Sequence, residues 1–137
     1  MTDHRRELYY GLIRIHVLLH AAEEPIFGME MMTELAHHGY CIGPGTLYPM
    51  LHGMERAGLL KSTMDTATGR RRRIYRITAA GRRAFSQARE KVDELHRELH
   101  EAHPRLRREL PRGGGGPKMQ TRARKNSFAE KVTVSRR

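Results

Sequence analysis

The sequence predicts a mainly α-helical fold that carries one small β-hairpin. Apolar residues recur at helical spacing in four separate segments of the chain. Two short strand-like segments, separated by a polar turn, stand between the third and the fourth of them. The chain has 137 residues, which allow one ordinary domain and little more.

The first predicted helix ends before Pro25, which disfavours the α conformation in the residue that precedes it. Its apolar residues lie at i, i+4, i+7 and i+11, and three further apolar residues widen this face. Such a wide apolar arc predicts a buried central helix. The face consists of Leu8, Leu12, Ile15 and Leu19, widened by Ile13, Val17 and Leu18.

A second, short helix is predicted from Gly28 to His38, before a stop at Gly39. Its predicted apolar face consists of Met29, Met32, Leu35 and Ala36. These residues predict a helix that packs along one side only.

The third helix is predicted to begin in the segment Gly43 to Thr46 and to end near Arg56. Pro49 is placed in its first turn, where a missing N–H costs little. The predicted apolar face consists of Leu47, Leu51 and Met54.

A β-hairpin follows, with strands predicted from Leu59 to Met64 and from Arg73 to Thr78. The turn between them, Asp65 to Gly69, is polar and includes a glycine that can adopt positive φ. A run of four arginines, Arg70 to Arg73, gives the hairpin a basic rim.

The last helix is predicted to start at Thr78 as the N-cap. Its apolar residues then alternate at spacings of three and four, which is the pattern of a coiled-coil seam. So long a seam cannot fold back on so small a domain, and it predicts pairing with a second copy of the chain. We expect the helix to end or bend near Pro104. The residues predicted at the dimer interface are Leu8, Leu12, Phe85, Val92, Leu95, Leu99 and Leu106.

Three regions are expected along the chain: residues 1–78 as a domain of three helices and the hairpin, 79–111 as a dimerisation helix and 112–137 as a disordered basic tail. The tail holds eight Lys and Arg against one Glu. The formal net charge of the whole chain is +11. A basic chain implies an anionic partner, and nucleic acid is the commonest one.

Three helices followed by a two-stranded hairpin form the element order of a winged helix-turn-helix, which inserts one helix into the DNA major groove. We expect the third helix to read base edges and the basic residues of the hairpin to hold phosphates. For Tyr48, contact with DNA and packing against the second helix are both open, and Arg73 has the alternative of facing an acidic residue. The predicted DNA-binding residues are Pro44, Gly45, Thr46, Tyr48, Pro49, His52, Lys61, Arg70, Arg71, Arg72 and Arg73.

One segment resembles the signature of PadR-type transcriptional regulators, and the resemblance extends over about residues 8–100. Flanking matches include Gly28, Glu34-Leu35, Glu55 and Gly58-Leu59 before the hairpin, and Gly69-Arg70, Arg73, Tyr75, Ile77-Thr78 and Gly81-Arg82 in and after it. The resemblance implies a dimeric winged-helix repressor that reads a short inverted repeat and dimerises through its single C-terminal helix. Pro104 and the basic tail depart from the family pattern. The signature segment is Gly39-Tyr40-Cys41-Ile42-Gly43-Pro44-Gly45-Thr46-Leu47-Tyr48-Pro49-Met50-Leu51.

The function predicted from the sequence is therefore that of a dimeric, sequence-specific DNA-binding repressor, released from its operator by a small effector. The alternative is a nonspecific nucleic-acid-binding or protein-interaction module that acts through the tail and the coiled coil. No apolar run reaches the roughly 18 residues of a membrane span, and the single Cys41 excludes a disulfide within the chain. Both features favour a cytoplasmic protein.

No enzymatic motif is recognised, and neither a metal nor a cofactor is predicted. Histidines occur at helical spacing twice, as the pair His16 and His20 and as the triplet His96, His100 and His103. Both spacings suit a transition metal, but a polar helix face is the commoner reason for them. If the pair lined the dimer interface, it could bind an effector or sense pH. Cys41 is interpreted as a small apolar residue rather than a sensor thiol.

Overall fold

The computed structural model describes residues 3–101 and confirms the mainly helical fold with a small sheet. The predicted bend at Pro104, the seam residue Leu106, His103 and the basic tail lie outside the described residues. None of the helices between residues 3 and 101 is both long and apolar enough to cross a membrane. The elements are α1 (Asp3–Glu23), β1 (Ile26–Phe27), α2 (Gly28–His37), α3 (Pro44–Arg56), β2 (Leu60–Asp65), β3 (Arg72–Ile77) and α4 (Ala79–Glu101).

The core is centred on one face of α1, but this is not the face predicted from the leucine spacing. Leu8, Leu12 and Leu19 are exposed, whereas the residues that were expected only to widen that face are buried. The prediction was wrong because α1 carries two apolar faces, and only one of them packs on α2 and the sheet. The buried residues of α1 are Ile13, Val17, Leu18 and Ala21.

The sheet has three antiparallel strands in the order β1-β3-β2. The hairpin strands lie within one residue of their predicted bounds, and Gly69 adopts the expected positive φ of 75°. β1 was not predicted, because two residues are too few to show strand periodicity. Ile26 pairs with Tyr75 and Phe27 with Ile74, so that β3, the central strand, is paired on both sides. The side chain of Tyr75 is completely buried there.

The predicted apolar face of α2 is confirmed only in part. Leu35 is buried and Met32 packs half-buried against the core, as predicted, but Met29 is 65% exposed, Ala36 is exposed, and Met31 is buried instead. α2 follows β1 directly and buries Gly28 against Tyr48. A Cβ atom at Gly28 would lie 2.6 Å from the Tyr48 ring, so glycine permits this close approach of α2 and α3.

Pro49 was predicted in the first turn of α3, but it lies further along the helix. Pro44 occupies the first position of the helix, and Pro49 is therefore an interior residue. Pro49 lacks the N–H that would donate to the Gly45 carbonyl. The predicted burial of Leu47, Leu51 and Met54 is confirmed, and Met50 is buried with them.

The start of α4 is fixed by Thr78, as predicted. Its hydroxyl oxygen accepts a hydrogen bond from the Gly81 N–H at 2.9 Å, and its carbonyl accepts one from the Arg82 N–H at 2.9 Å. The same hydroxyl donates to the Gly58 carbonyl. Gly81 is buried so closely against Leu59 that an added Cβ would overlap the Leu59 carbonyl. The first turn of α4 is thus anchored to the loop before β2, and α4 packs along α1.

Candidate nucleic-acid interface

The N-terminus of α3 is suited to an anionic ligand. Gly43, the N-cap, has an extended backbone and provides no side-chain oxygen to the first turn, which also contains no acidic residue. The N–H groups at the start of a helix carry partial positive charge and bind phosphates well. The residues Pro44 and Gly45 are exposed at this end.

The outer face of α3 carries the side chains that were predicted to read a groove. The exposed residues on this side are Pro49, His52 and, one turn further on, Arg56. Thr46 is half-buried. The opposite face is the one that packs into the core. One helix therefore separates core residues from predicted DNA-binding residues.

Tyr48 lies between these two faces. Its half-buried ring packs on Gly28 of α2, where the two helices approach most closely. Of the two interpretations made from the sequence, packing against the second helix is the one that the geometry supports. A contact of Tyr48 with DNA stays a prediction.

Two of the four hairpin arginines are free to meet a partner. Arg70 and Arg71 are exposed beside the turn, and neither forms an ion pair with any residue in the described range 3–101. The turn itself is ordered by two hydrogen bonds. The Ala67 N–H donates to the Asp65 carboxylate at 3.0 Å, and the Gly69 N–H donates to the Thr66 carbonyl at 3.1 Å.

Arg72, in contrast, is held within the subunit. Its guanidinium lies 4.0 Å from the centre of the Phe27 ring and 3.8 Å from a carboxylate oxygen of Glu30. The side chain is half-buried, and its Nε atom has no hydrogen-bond partner among the described residues. Arg72 thus joins β3 to β1 and α2, a role that nothing in the local sequence indicates because its partners are about 45 residues away.

Arg73 is exposed and is hydrogen-bonded to a residue that in turn contacts Glu55. Its Nη1 donates to the Ser62 hydroxyl at 3.1 Å. Glu55 accepts from the same hydroxyl at 2.7 Å and from the Ser62 N–H at 2.9 Å. These hydrogen bonds, with smaller effects of Arg73 and His52, lower the pKa of Glu55 below its ordinary value.

Lys61 lies away from the arginines at the turn. It is exposed and pairs in register with Arg76, four residues along β2 from Asp65. At the rise of a β-strand this separation is roughly 13 Å. Arg76 is also exposed and was not among the predicted DNA-binding residues, although its pairing with Lys61 makes the base of the hairpin basic.

The predicted dimer residues that lie within the described range 3–101 are exposed, with one exception. Leu8 and Leu12 on α1, and Val92, Leu95 and Leu99 on α4, are all exposed, with Leu8 at 69% and Leu99 at 56%. Phe85 is half-buried and packs against the core of its own subunit.

Comparison with known proteins gives concordant results. Residues 17–87 match the model of the transcriptional regulator PadR-like family. The transcriptional regulator Rv3488 of Mycobacterium tuberculosis is 46% identical over 94 residues, which are 69% of this chain and 88% of that protein.

Solved structures agree with this match. A PadR family transcriptional regulator from Eggerthella lenta is 31% identical, covers 74% of this chain and 92% of its own, and superposes with a TM-score of 0.61. A PadR-like transcription factor from Bacteroides fragilis has the same fold, with a TM-score of 0.64 at 20% identity over 72% of this chain and 97% of its own. These matches confirm the resemblance and the expectation of a regulator rather than an enzyme. The chain belongs to the PadR-like family of transcriptional regulators.

Proposed function

We propose that the chain is a homodimeric repressor that binds an inverted-repeat operator in double-stranded DNA. Residues 1–78 would bind DNA, and residues 79–111 would hold two copies together. The observation that carries this proposal is the presence, in one PadR-like regulator, of both an acid-free N-terminus of α3 and exposed arginines on the hairpin.

The proposed base contacts come from α3. Pro44, Gly45 and Thr46 lie at its N-terminus, and Pro49 and His52 follow on its outer face. A helix in the major groove places such residues against base edges, where each base pair shows a distinct pattern of donors and acceptors. Tyr48 has less freedom to do so because its ring is packed on Gly28.

The proposed phosphate contacts come from Arg70 and Arg71, with Lys61 further along the hairpin. Arg72 and Arg73 are engaged within the subunit and would contribute mainly through the shape of the hairpin. Each arginine that neutralises a phosphate releases counterions, so that affinity falls with salt in proportion to the number of such contacts.

Operator binding at several salt concentrations tests this proposal. In Arg70→Ala/Arg71→Ala, we expect operator affinity to fall and the slope of log affinity against log salt to flatten by about 0.9 for each phosphate that is no longer neutralised. The matched control is Arg83→Ala/Arg97→Ala, which removes the same charge from exposed positions on α4. Equal effects of the two double variants, or equal affinity for operator and random DNA, would contradict the proposal.

Release of the operator by a small effector is a further part of the proposal. An effector acts only if it prefers one arrangement of the two α3 helices in the dimer over another. The cleft between α1 and α4 at the dimer interface is the proposed place. A thermal-shift screen with phenolic acids, drugs and divalent metals tests it, and a uniform lack of response would point to a ligand-independent regulator.

The basic tail supports a second candidate function, nonspecific binding of nucleic acid or recruitment of a partner protein. Eight Lys and Arg in residues 112–137 are enough to bind a polyanion without a specific site. Deletion of 112–137 separates the two functions. A repressor keeps its preference for operator over random DNA, whereas a tail-dependent module loses binding to both.

A further inference from the structure

Three histidines from two helices meet at one place in the structure. His16 and His20 lie one turn apart on α1, and His38 is the C-cap of α2. One ring nitrogen from each lies within 4.8 Å of the other two. Only the pair on α1 was noted in the sequence, because His38 is brought to it by the packing of α2.

The environment of these histidines differs from that of a polar surface. His16 and His20 are half-buried, and Nε2 of His20 is buried without a hydrogen-bond partner among residues 3–101. A buried nitrogen that lacks a hydrogen-bond partner carries an energetic cost. A ligand that accepts its lone pair would remove this cost.

The His16 ring is packed against its neighbours. The His16 and His38 rings stack with their centres 4.6 Å apart. This stacking holds two of the three imidazoles side by side.

We propose that His16, His20 and His38 bind one divalent transition-metal ion of the Zn²⁺ class. Three imidazoles leave a fourth tetrahedral position for water or another small ligand. Bonds of about 2.0–2.1 Å to the metal would bring the three nitrogens to roughly 3.4 Å from one another. The closure needed is small, and it falls mainly on His38, which is exposed at the end of α2.

The position of the site gives it a route to α3. His38 directly precedes the connection from α2 to α3, and Tyr40 in that connection packs edge-on against the His16 ring at 5.5 Å and against the Tyr9 ring at 6.5 Å. A bound ion would join α1 to this connection. The expectation that it alters operator affinity rests on the proposed function, whereas the binding of the ion does not.

Metal binding is tested on the full chain, freed of metal by a chelator, by titration with Zn²⁺ against a competing indicator in the absence of DNA. We expect one tight ion per chain. His16→Ala and His38→Ala should each weaken binding by at least about tenfold, because each removes one of three ligands. Co²⁺ in the same site should show the visible absorption of a four-coordinate ion.

The control is His96→Ala/His100→Ala, which removes two neighbouring imidazoles from the exposed face of α4, with rings 4.1 Å apart. We expect this variant to bind Zn²⁺ as tightly as the wild type. Because His38 is exposed, His38→Ala should fold normally. This variant therefore remains informative even if a variant of His20 does not fold. Undiminished binding in His38→Ala, or a loss confined to the α4 variant, would overturn the proposal. Zn²⁺ binding with unchanged operator affinity would overturn only the coupling between them.

Discussion

Glu55 connects α3 to the hairpin through two hydrogen bonds with one residue, Ser62. Its carboxylate receives both the N–H and the hydroxyl of Ser62, and Arg73 approaches the same hydroxyl from β3. The ionised carboxylate is the better acceptor, so these hydrogen bonds stabilise the charged form. The end of α3 and the start of the hairpin are thereby held in one arrangement.

A pH dependence follows from the lowered pKa of Glu55. Because the pKa is lower in the folded chain than in the unfolded one, the stabilisation is complete above the unfolded value and is lost as pH falls through the folded value. In Glu55→Gln, we expect the free energy of unfolding to fall by about 1 kcal/mol at pH 7 and to change less at acidic pH. Urea denaturation at pH 7 and pH 4 measures both quantities.

The control for this prediction is Glu90→Gln, which replaces an exposed carboxylate on α4. It should leave stability nearly unchanged at pH 7. An equal loss of stability for Glu55→Gln at both pH values would show that the charge of Glu55 has no part in the effect.

At the scale of elements, Arg72 fastens the hairpin of β2 and β3 to β1 and α2. Its guanidinium lies over Phe27 of β1 and near Glu30 of α2, so the four-arginine run has two structural members, Arg72 and Arg73, and two free ones. Loss of a cation–π contact and a partly exposed ion pair costs about 1 kcal/mol.

Variants of two adjacent arginines test whether Arg72 anchors the hairpin. We expect Arg72→Ala to lower the thermal unfolding midpoint by a few degrees and Arg71→Ala to leave it unchanged, because only Arg72 has partners within the subunit. Thermal denaturation followed by circular dichroism measures this difference. Equal midpoints for the two variants would show that the Arg72 contacts do not stabilise the fold.

Local signals predicted some elements well and others not at all. The hairpin and the cap at Thr78 were predictable because a glycine-containing turn and a capping hydroxyl act within a few residues of one another. β1 and the close approach of Gly28 to Tyr48 were not, because they depend on pairing with β3 and on a contact with a distant helix. The same limit applies to His38, whose neighbours on α1 are distant in sequence.

At the scale of the whole molecule, the apolar surface of α1 and α4 is the main feature without a partner in the described subunit. The leucine spacing identified apolar residues on both helices, but on α1 it assigned to the core a face that the structure leaves exposed. Exposed apolar residues concentrated on two packed helices are typical of a site of interaction between proteins. A second copy of the chain is its proposed occupant.

Charged substitutions on α4 test this assembly. We expect Leu95→Glu/Leu99→Glu to convert a dimer into a monomer, because both side chains are more than half exposed in the single subunit and would be buried only by a partner. Sedimentation velocity measures the mass of the particle. The matched control is Met29→Glu, an exposed apolar residue on α2 that lies outside this surface. An unchanged dimer in the α4 variant would place the interface elsewhere.

The pairing of β1 with β3 determines where the hairpin lies relative to α2 and α3. β1 runs directly into α2, and its register with β3 ties the base of the wing to the helix pair that carries Pro44 and Gly45. The strand pairing therefore fixes the position of the hairpin relative to that helix pair. In the proposed operator complex, inserting one base pair between the groove contacts and the phosphate contacts of a half-site would move them apart by about 3.4 Å, and we expect this insertion to weaken operator binding.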